Sequence, residues 1–140
     1  EVDRVHFMAY DLLFQNGPPH HADYKVVTQI LDDWLGRGYP PEKIVLGIPG
    51  YGRHRDNPGQ VKTFAELVDD GLNPVVAGNE WKGFFFDSPQ LIHKKMAYVK
   101  KHGLGGVFFW ELGHDKQEEA APAGWLLQAA AGVKEVNDEL

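Results

Sequence analysis

The chain of 140 residues has no cysteine and little positive charge. Without cysteine it can form neither a disulfide framework nor a thiolate metal site, although this does not identify its compartment. Its formal net charge is −6, its pI is about 5.6 and it has no basic stripe, so we expect neither nucleic acid nor a membrane surface as a partner. No apolar run approaches the roughly 18 residues that a membrane span requires.

The two ends of the sequence carry little targeting information. The chain begins with Glu1 rather than Met and enters strand-like sequence at once, so we expect that processing or truncation removed what preceded it. The last four residues, Asn-Asp-Glu-Leu, differ from the usual endoplasmic-reticulum retrieval signals at their first position. Retention there is therefore a weaker interpretation than secretion from the cell.

Strand and helix signals alternate in the first third of the chain. The run VHFMAY, residues 5–10, is rich in β-forming and aromatic residues and predicts a first strand. Asp23 then caps a helix that Gly36 and Gly38 end. The apolar stripe of this helix consists of Val27, Ile30, Leu31, Trp34 and Leu35. Residues 44–48 predict a second, buried strand.

An irregular segment precedes the next alternation. We expect a loop over 50–60, a short helix over 63–70 and an extended or hairpin segment in the aromatic run NEWKGFFFDS. Ser88 caps the clearest helix, which ends at Gly103 after three basic residues. The run 105–111 predicts a third strand, buried on both faces.

A last helix, expected from Pro122 to about Ala131, completes the order. Strands that alternate with amphipathic helices favour parallel pairing through helical crossovers. Three parallel strands are too few to close a barrel. The sequence therefore predicts an α/β fold that is a portion of a (β/α)8 TIM barrel.

Each predicted strand ends with an aromatic residue and a charged residue close together. In chain order the pairs are Tyr10 with Asp11, Tyr51 with Arg53, and Trp110 with Glu111. Reacting groups of a (β/α)8 barrel lie at the carboxyl ends of its strands, so we expect one shared rim. Aromatic faces stack on sugar rings, while phenol, carboxylate and guanidinium groups bind hydroxyls and amides. The set favours a neutral polar ligand with an amide over a phosphate.

Each of these residues also has a purely structural interpretation. Trp110 could be a core residue, Asp11 could stabilise a turn, and Tyr51 could pack beneath its loop. Solvated surface charge could account for Arg53, Arg55 and Glu111. The pairs His20–His21 and His114–Asp115 suggest metal ligands, but neither has the partners of a full ligand set, so we expect no metal and no cofactor.

Three segments, FMAYD, KIVLGIPGYGR and GLGGVFFWELGHD, resemble the sixth, seventh and eighth strands of family 18 glycoside hydrolases, the chitinase group. They follow the family patterns M-x-Y-D, G-[IVL]-P-x-Y-G-R and G-[GA]-V-x-x-W-[ED] in the family's order, and the resemblance covers roughly residues 2–131. It implies that the chain is the carboxyl-terminal part of a (β/α)8 barrel. That part would be a single partial domain over 1–140 with a small insertion over 54–87.

The resemblance also implies an activity, the retaining hydrolysis of β-1,4-linked N-acetylglucosamine polymers. In that reaction the acetamido oxygen of the substrate itself attacks C1. By position, Tyr10 would hydrogen-bond the acetamido group, Asp11 would line the same subsite, and Trp110 would be the platform beneath the sugar. Substrate contacts are further implied for Met8, Tyr51, Arg53 and Glu111.

One part of the family pattern is missing. The signature D-x-x-D-x-D-x-E, whose Glu is the general acid, occurs nowhere in the 140 residues, and Glu111 has no evident environment for that role. We therefore expect this chain alone to bind chitin or N-acetylglucosamine oligomers without cleaving them. Exposed strand edges favour a place inside a larger barrel, a complex with the missing part, or self-association.

Two other functions remain as alternatives. The first is a non-catalytic module of the same barrel that binds chitooligosaccharides or acts as a scaffold. The second is an α/β module that binds phosphate, which would need a Gly-rich loop between a strand and a helix. The GLGG segment precedes a strand instead, which argues against phosphate binding.

Overall fold

The computed structural model of the chain describes residues 2–76, 78–116 and 125–132. Its elements, in chain order, are β1 (Val5–Phe7), α1 (Tyr24–Gly36), β2 (Ile44–Pro49), β3 (Tyr51–His54), β4 (Val61–Thr63), α2 (Phe64–Asp69), β5 (Glu80–Trp81), β6 (Phe84–Phe85), α3 (Pro89–His102), β7 (Gly106–Trp110) and α4 (Leu126–Ala131). Short 3-10 turns, Pro41–Lys43 and Leu112–His114, precede β2 and follow β7. None of the helices in these described ranges is long and apolar enough to cross a membrane.

Strands β1, β2 and β7 form a parallel sheet in that order. Val5 pairs with Ile44 across the first interface, and Val45 pairs with Gly106 across the second. Parallel neighbours need a crossover connection, which α1 supplies between β1 and β2, and α3 leads into β7. The predicted order of parallel strands and helices is confirmed.

The central strand β2 and the edge strand β7 differ in burial. β2 is buried along its whole length because it lies between β1 and β7. The prediction that the third strand is buried on both faces was wrong: β7 is half-buried, and Trp110 at its end is 53% exposed. Its place in the sheet explains this, because among the described residues β7 pairs with β2 alone.

Capping residues begin the two long helices as the sequence predicts. The Asp23 carboxylate accepts a hydrogen bond from the Val26 amide at 3.1 Å, and the Ser88 hydroxyl accepts one from Leu91 at 3.2 Å. Gly103 ends α3 in the left-handed conformation, with a φ of +65°, which glycine adopts without strain.

The segment predicted as a loop over 50–60 contains β3. This strand lies inside an antiparallel sheet of order β4-β3-β6-β5, with Tyr51 opposite Thr63 and Arg53 opposite Phe85. The loop prediction was wrong because later segments of the chain supply the pairing partners of β3. The first strand is also shorter than predicted, since β1 ends at Phe7. The antiparallel sheet overlaps the proposed insertion over 54–87. That these residues form one inserted unit stays a prediction.

Two apolar clusters hold the layers together. One packs α1 and α3 against the start of β2 and includes Val27, Leu31, Ile44, Leu46 and Val99. The other joins the end of β2 to the antiparallel sheet and α2–α4, and includes Ile48, Phe64, Leu67, Phe86, Ile92 and Leu126.

The last helix is capped from a distance. Trp125, Leu126 and Ala129 are buried in the core, as predicted, whereas the predicted start at Pro122 lies outside the described residues. The Asp115 carboxylate accepts hydrogen bonds from the amides of Leu126 at 3.1 Å and Leu127 at 3.0 Å. Asp115 thus stabilises the amino-terminal end of α4, where the helix dipole is positive.

The buried Lys95 ammonium on α3 joins the segment just before α3 to the segment before α1. The Lys95 ammonium lies 2.5 Å from the Asp87 carboxylate, with the two side chains 1% and 0% exposed. The same ammonium donates to the carbonyl of Ala22 at 2.9 Å. The pair therefore fixes the loop that carries His20 and His21.

Replacing Lys95 with methionine leaves the Asp87 charge buried without a cation. We expect Lys95→Met to lower the free energy of unfolding by about 3–5 kcal/mol, measured by urea denaturation. The exposed neighbour provides a control, since Lys94→Met should change stability by less than about 0.5 kcal/mol. Equal effects of the two substitutions would contradict a stabilising role for the buried pair.

Candidate functional site

The carboxyl ends of the three parallel strands meet at one edge of the sheet, and the predicted rim residues lie there. Tyr10 and Asp11 follow β1, Tyr51 and Arg53 lie on β3 directly after β2, and Trp110 ends β7. The amide of Gly50, between β2 and β3, donates to the Trp110 carbonyl at 2.8 Å. The register of β2 with its two neighbours therefore sets the geometry of this edge.

Asp11 is the centre of the site. Its Oδ1 accepts a hydrogen bond from the Tyr51 hydroxyl at 2.8 Å and another from Arg53 Nε at 2.6 Å. Arg53 is therefore not a solvated surface charge. Burial acts to raise the pKa of Asp11, but the hydrogen bonds from Arg53 and Tyr51 and the positive charge of Arg53 outweigh it, and the pKa lies below its usual range. Asp11 is an anionic hydrogen-bond acceptor and not a proton donor.

Tyr10 and Tyr51 are neutral phenols beside this carboxylate. Burial raises the pKa of Tyr51, and its hydrogen bond to Asp11 raises it further. Burial, with the Asp11 charge, also raises the pKa of Tyr10. The Tyr10 ring lies edge-to-face with Tyr51 at 6.3 Å and with Phe108 at 6.4 Å. The ring contacts orient Tyr10, and its phenol keeps its proton for donation.

Two apolar side chains of the rim are exposed. Trp110 is 53% exposed and Met8 is 63% exposed, so Trp110 is not a core residue of this chain. The peptide bond between Trp110 and Glu111 is cis. An exposed indole at the same edge of the sheet as the phenols and the carboxylate is suited to stacking on a sugar ring.

Glu111 is a peripheral carboxylate. Its side chain is 55% exposed, and its Oε1 lies 3.6 Å from the His114 ring. The structure does not bring Glu111 into the hydrogen-bonded cluster of Asp11, Tyr51 and Arg53, and its proposed contact with substrate stays a prediction.

His20 and His21, considered above only as metal ligands, are buried structural donors and acceptors. The His20 ring accepts from the Ala22 amide at 3.0 Å and donates to the Phe86 carbonyl at 2.8 Å. The His21 ring accepts from the Asp11 amide at 3.2 Å and donates to the Tyr51 carbonyl at 3.2 Å. Within the described part of the chain, no group of three or more metal-ligating side chains occurs.

The role of His21 beside Asp11 is the feature that sequence reasoning missed. An adjacent pair of histidines in a loop otherwise rich in turn residues was the available signal. The role of His21 depends on its contacts with Asp11 and Tyr51, which lie ten and thirty positions away along the chain.

Comparisons with known proteins agree on one family. The family model "Glycosyl hydrolases family 18" matches residues 1–115. Endochitinase 1 of Metarhizium robertsii is 26% identical over 155 aligned positions, which cover 83% of this chain and 37% of that protein.

Solved structures give the same result. A GH18 chitinase, ChiB, from the chitin utilization locus of Flavobacterium johnsoniae matches with a TM-score of 0.74 and 26% identity, over 93% of this chain and 41% of that one. A mutant plant class V chitinase from Cycas revoluta, in complex with (GlcNAc)3, matches with a TM-score of 0.66 and 25% identity, over 81% and 43%. The chain spans less than half the length of each of these relatives.

The two buried histidines make the stability of the protein sensitive to acid. Burial is the main cause that lowers the pKa of His20 and that lowers the pKa of His21 from 6.5 to about 4. Below pH 6.5 the unfolded chain therefore binds more protons than the folded one. We expect the free energy of unfolding to fall as the pH drops below about 6.5, and the contribution of His21, up to ~1.4 kcal/mol per pH unit, should continue to about pH 4.

Urea unfolding between pH 7 and pH 4.5 measures this slope. His21→Asn should make the slope shallower because it removes one titrating group, whereas His93→Asn, at an exposed position, should leave it unchanged. An undiminished slope in the His21 variant would show that another group titrates over this range.

Proposed function

The chain belongs to glycosyl hydrolase family 18, and we propose that it is the carboxyl-terminal part of a chitinase-like enzyme whose complete barrel hydrolyses β-1,4-linked N-acetylglucosamine polymers. It is a portion of a (β/α)8 barrel and contributes three parallel strands. The observation that carries the proposal is the cluster of Tyr10, Asp11, Tyr51 and Arg53 at the carboxyl edge of those strands. Enzymes of this architecture keep their reacting groups at that edge.

Tyr10 and Asp11 are suited to hold an acetamido group from two sides. The phenol of Tyr10 keeps its proton and can donate to the amide oxygen, while the anionic Asp11 can accept from the amide N–H. Its Oδ2 receives no hydrogen bond from the described residues, so it is available to the ligand. An amide held in this way keeps its oxygen aimed at C1 of the same sugar, which favours the intramolecular attack.

The bond changes of the proposed reaction need one group that the chain does not contain. The acetamido oxygen forms a bond to C1 as the glycosidic C1–O bond breaks, and the leaving oxygen takes a proton from a general acid. The family signature that carries this acid is absent from the 140 residues. Glu111 is exposed and lies outside the Asp11 cluster, which makes it unsuited to replace the acid.

The remaining strands of the barrel are the proposed partner of this chain, in the same polypeptide. Among the described residues, β1 and β7 each pair on one side only. Beside β1 lies a groove of about 420 Å³ with a largely apolar lining, which includes Val5, Trp34, Tyr39, Pro40 and Ile44. Unpaired strand edges and an exposed apolar groove favour pairing with further strands and helices. Association with a separate chain or with a second copy is the alternative.

Sequencing the transcript upstream of the codon for Glu1 tests the proposal. We expect the upstream open reading frame to encode a strand that carries the D-x-x-D-x-D-x-E signature, which would supply the general acid. An initiator or a signal-peptide junction immediately upstream would overturn the hydrolase proposal for this chain and would favour association of separate chains.

Activity of the complete protein tests the role of Tyr10. We expect Tyr10→Phe to lower kcat on N-acetylglucosamine tetramers about a hundredfold, because it removes a donor to the reacting acetamido group. Tyr24→Phe, at the start of α1 and outside the hydrogen-bonded cluster of Asp11, is the matched control and should retain full activity. Wild-type kcat in Tyr10→Phe would exclude the proposed contact.

Trp110 tests the binding side of the same proposal. Trp110→Ala should weaken the affinity for N-acetylglucosamine oligomers about tenfold, since it removes the exposed aromatic face, and titration calorimetry measures this. Tight binding by the complete wild-type protein with no cleavage would instead select the non-catalytic binding module.

A further inference from the structure

Asp11 adopts a backbone conformation that needs support. Its φ is +59°, in the left-handed region that residues other than glycine rarely adopt. Its amide donates to the His21 ring at 3.2 Å, and the amide of Leu12 donates to the His21 carbonyl at 2.8 Å. One residue, His21, therefore holds both amides of this strained turn.

His21 also holds the strand that carries the partners of Asp11. Its Nε2 donates to the Tyr51 carbonyl at 3.2 Å, and its ring stacks on the Tyr51 ring with the centroids 5.0 Å apart. Tyr51 in turn donates its hydroxyl to Asp11. The three residues form a closed circuit in which His21 fixes the distance between the turn and β3.

The circuit requires one tautomer of the imidazole. Because the Asp11 amide donates to Nδ1, that nitrogen carries no proton, and Nε2 carries the proton that it donates to Tyr51. The side chain is fully buried, and burial together with the neighbouring His20 lowers the pKa of His21 to about 4. Asp87, Asp11 and the Tyr51 carbonyl also face the ring and act to raise this pKa, but burial outweighs them, so the ring is neutral at neutral pH.

We propose that His21 is a positioning residue of the substrate site, which holds the Asp11 carboxylate in place by accepting the hydrogen bond of the Asp11 amide in the turn after β1, while its contact with Tyr51 orients the imidazole. It does not touch the ligand and acts through Asp11. The proposal rests on the proposed function, since the group that it positions is the proposed acetamido contact.

Hydrogen exchange and sugar binding by the complete protein test this role. In His21→Leu we expect the Asp11 amide to exchange about tenfold faster or more, and the affinity for the N-acetylglucosamine tetramer to fall about tenfold. In His21→Asn the side-chain oxygen can take the place of Nδ1 as acceptor, so both properties should stay within about twofold of wild type. His93→Leu is the control at an exposed position.

The variants separate positioning from folding. Where His21→Leu does not fold, His21→Gln replaces it, because its amide reaches the Tyr51 side of the circuit and not the Asp11 amide. Rescue by asparagine but not by glutamine supports the proposal. Unchanged exchange at Asp11 in a folded leucine or glutamine variant overturns it, as does lost protection with unchanged sugar affinity.

The same experiment distinguishes the two proposals from each other. If the complete wild-type protein binds no tetramer, the result counts against its proposed function. The exchange rate of the Asp11 amide still decides whether His21 holds the turn.

Discussion

The central strand β2 is the constraint on which the other parts of the structure depend. It pairs on one side with β1 and on the other with β7, and it continues almost directly into β3. A Cβ atom on Gly47 would lie 2.8 Å from the Phe7 carbonyl and 2.7 Å from the Phe108 ring, so this strand position admits only glycine. Because β2 fixes both neighbours and β3, it also fixes the relative positions of Asp11, Tyr51 and Arg53.

The site holds a negative charge on Asp11 but contains no acidic group suited to donate a proton. Asp11 keeps its negative charge because Arg53 and Tyr51 donate to it, while burial keeps the nearby histidines neutral and the phenols protonated. Such a set can bind an amide and hold it for attack, but it has no group that would give up a proton to a leaving oxygen. The charges and protonation states of the described residues therefore suit the proposed role of binding the acetamido group, and the chain spans less than half of the length of these relatives.

Local signals predicted the elements of the fold well. Caps at Asp23 and Ser88, the glycine after α3 and the apolar runs of the three parallel strands each depend on a few neighbouring residues, and the structure confirms them. The errors have a common cause. β3 was missed because its pairing partners come later in the chain, and β7 was predicted as fully buried because its run of apolar residues does not show where the strand lies in the sheet.

The sequence by itself determined the alternation of strands and helices, the family and the identity of the rim residues, since these follow from local patterns and from three motifs in a fixed order. The tertiary structure alone decided which of these residues act together. Asp11 meets Tyr51 and Arg53 across 40 and 42 positions, and His21 joins the turn at Asp11 to β3 across 30. Such partners depend on how parallel strands bring their carboxyl ends to one edge, and no local pattern contains that information.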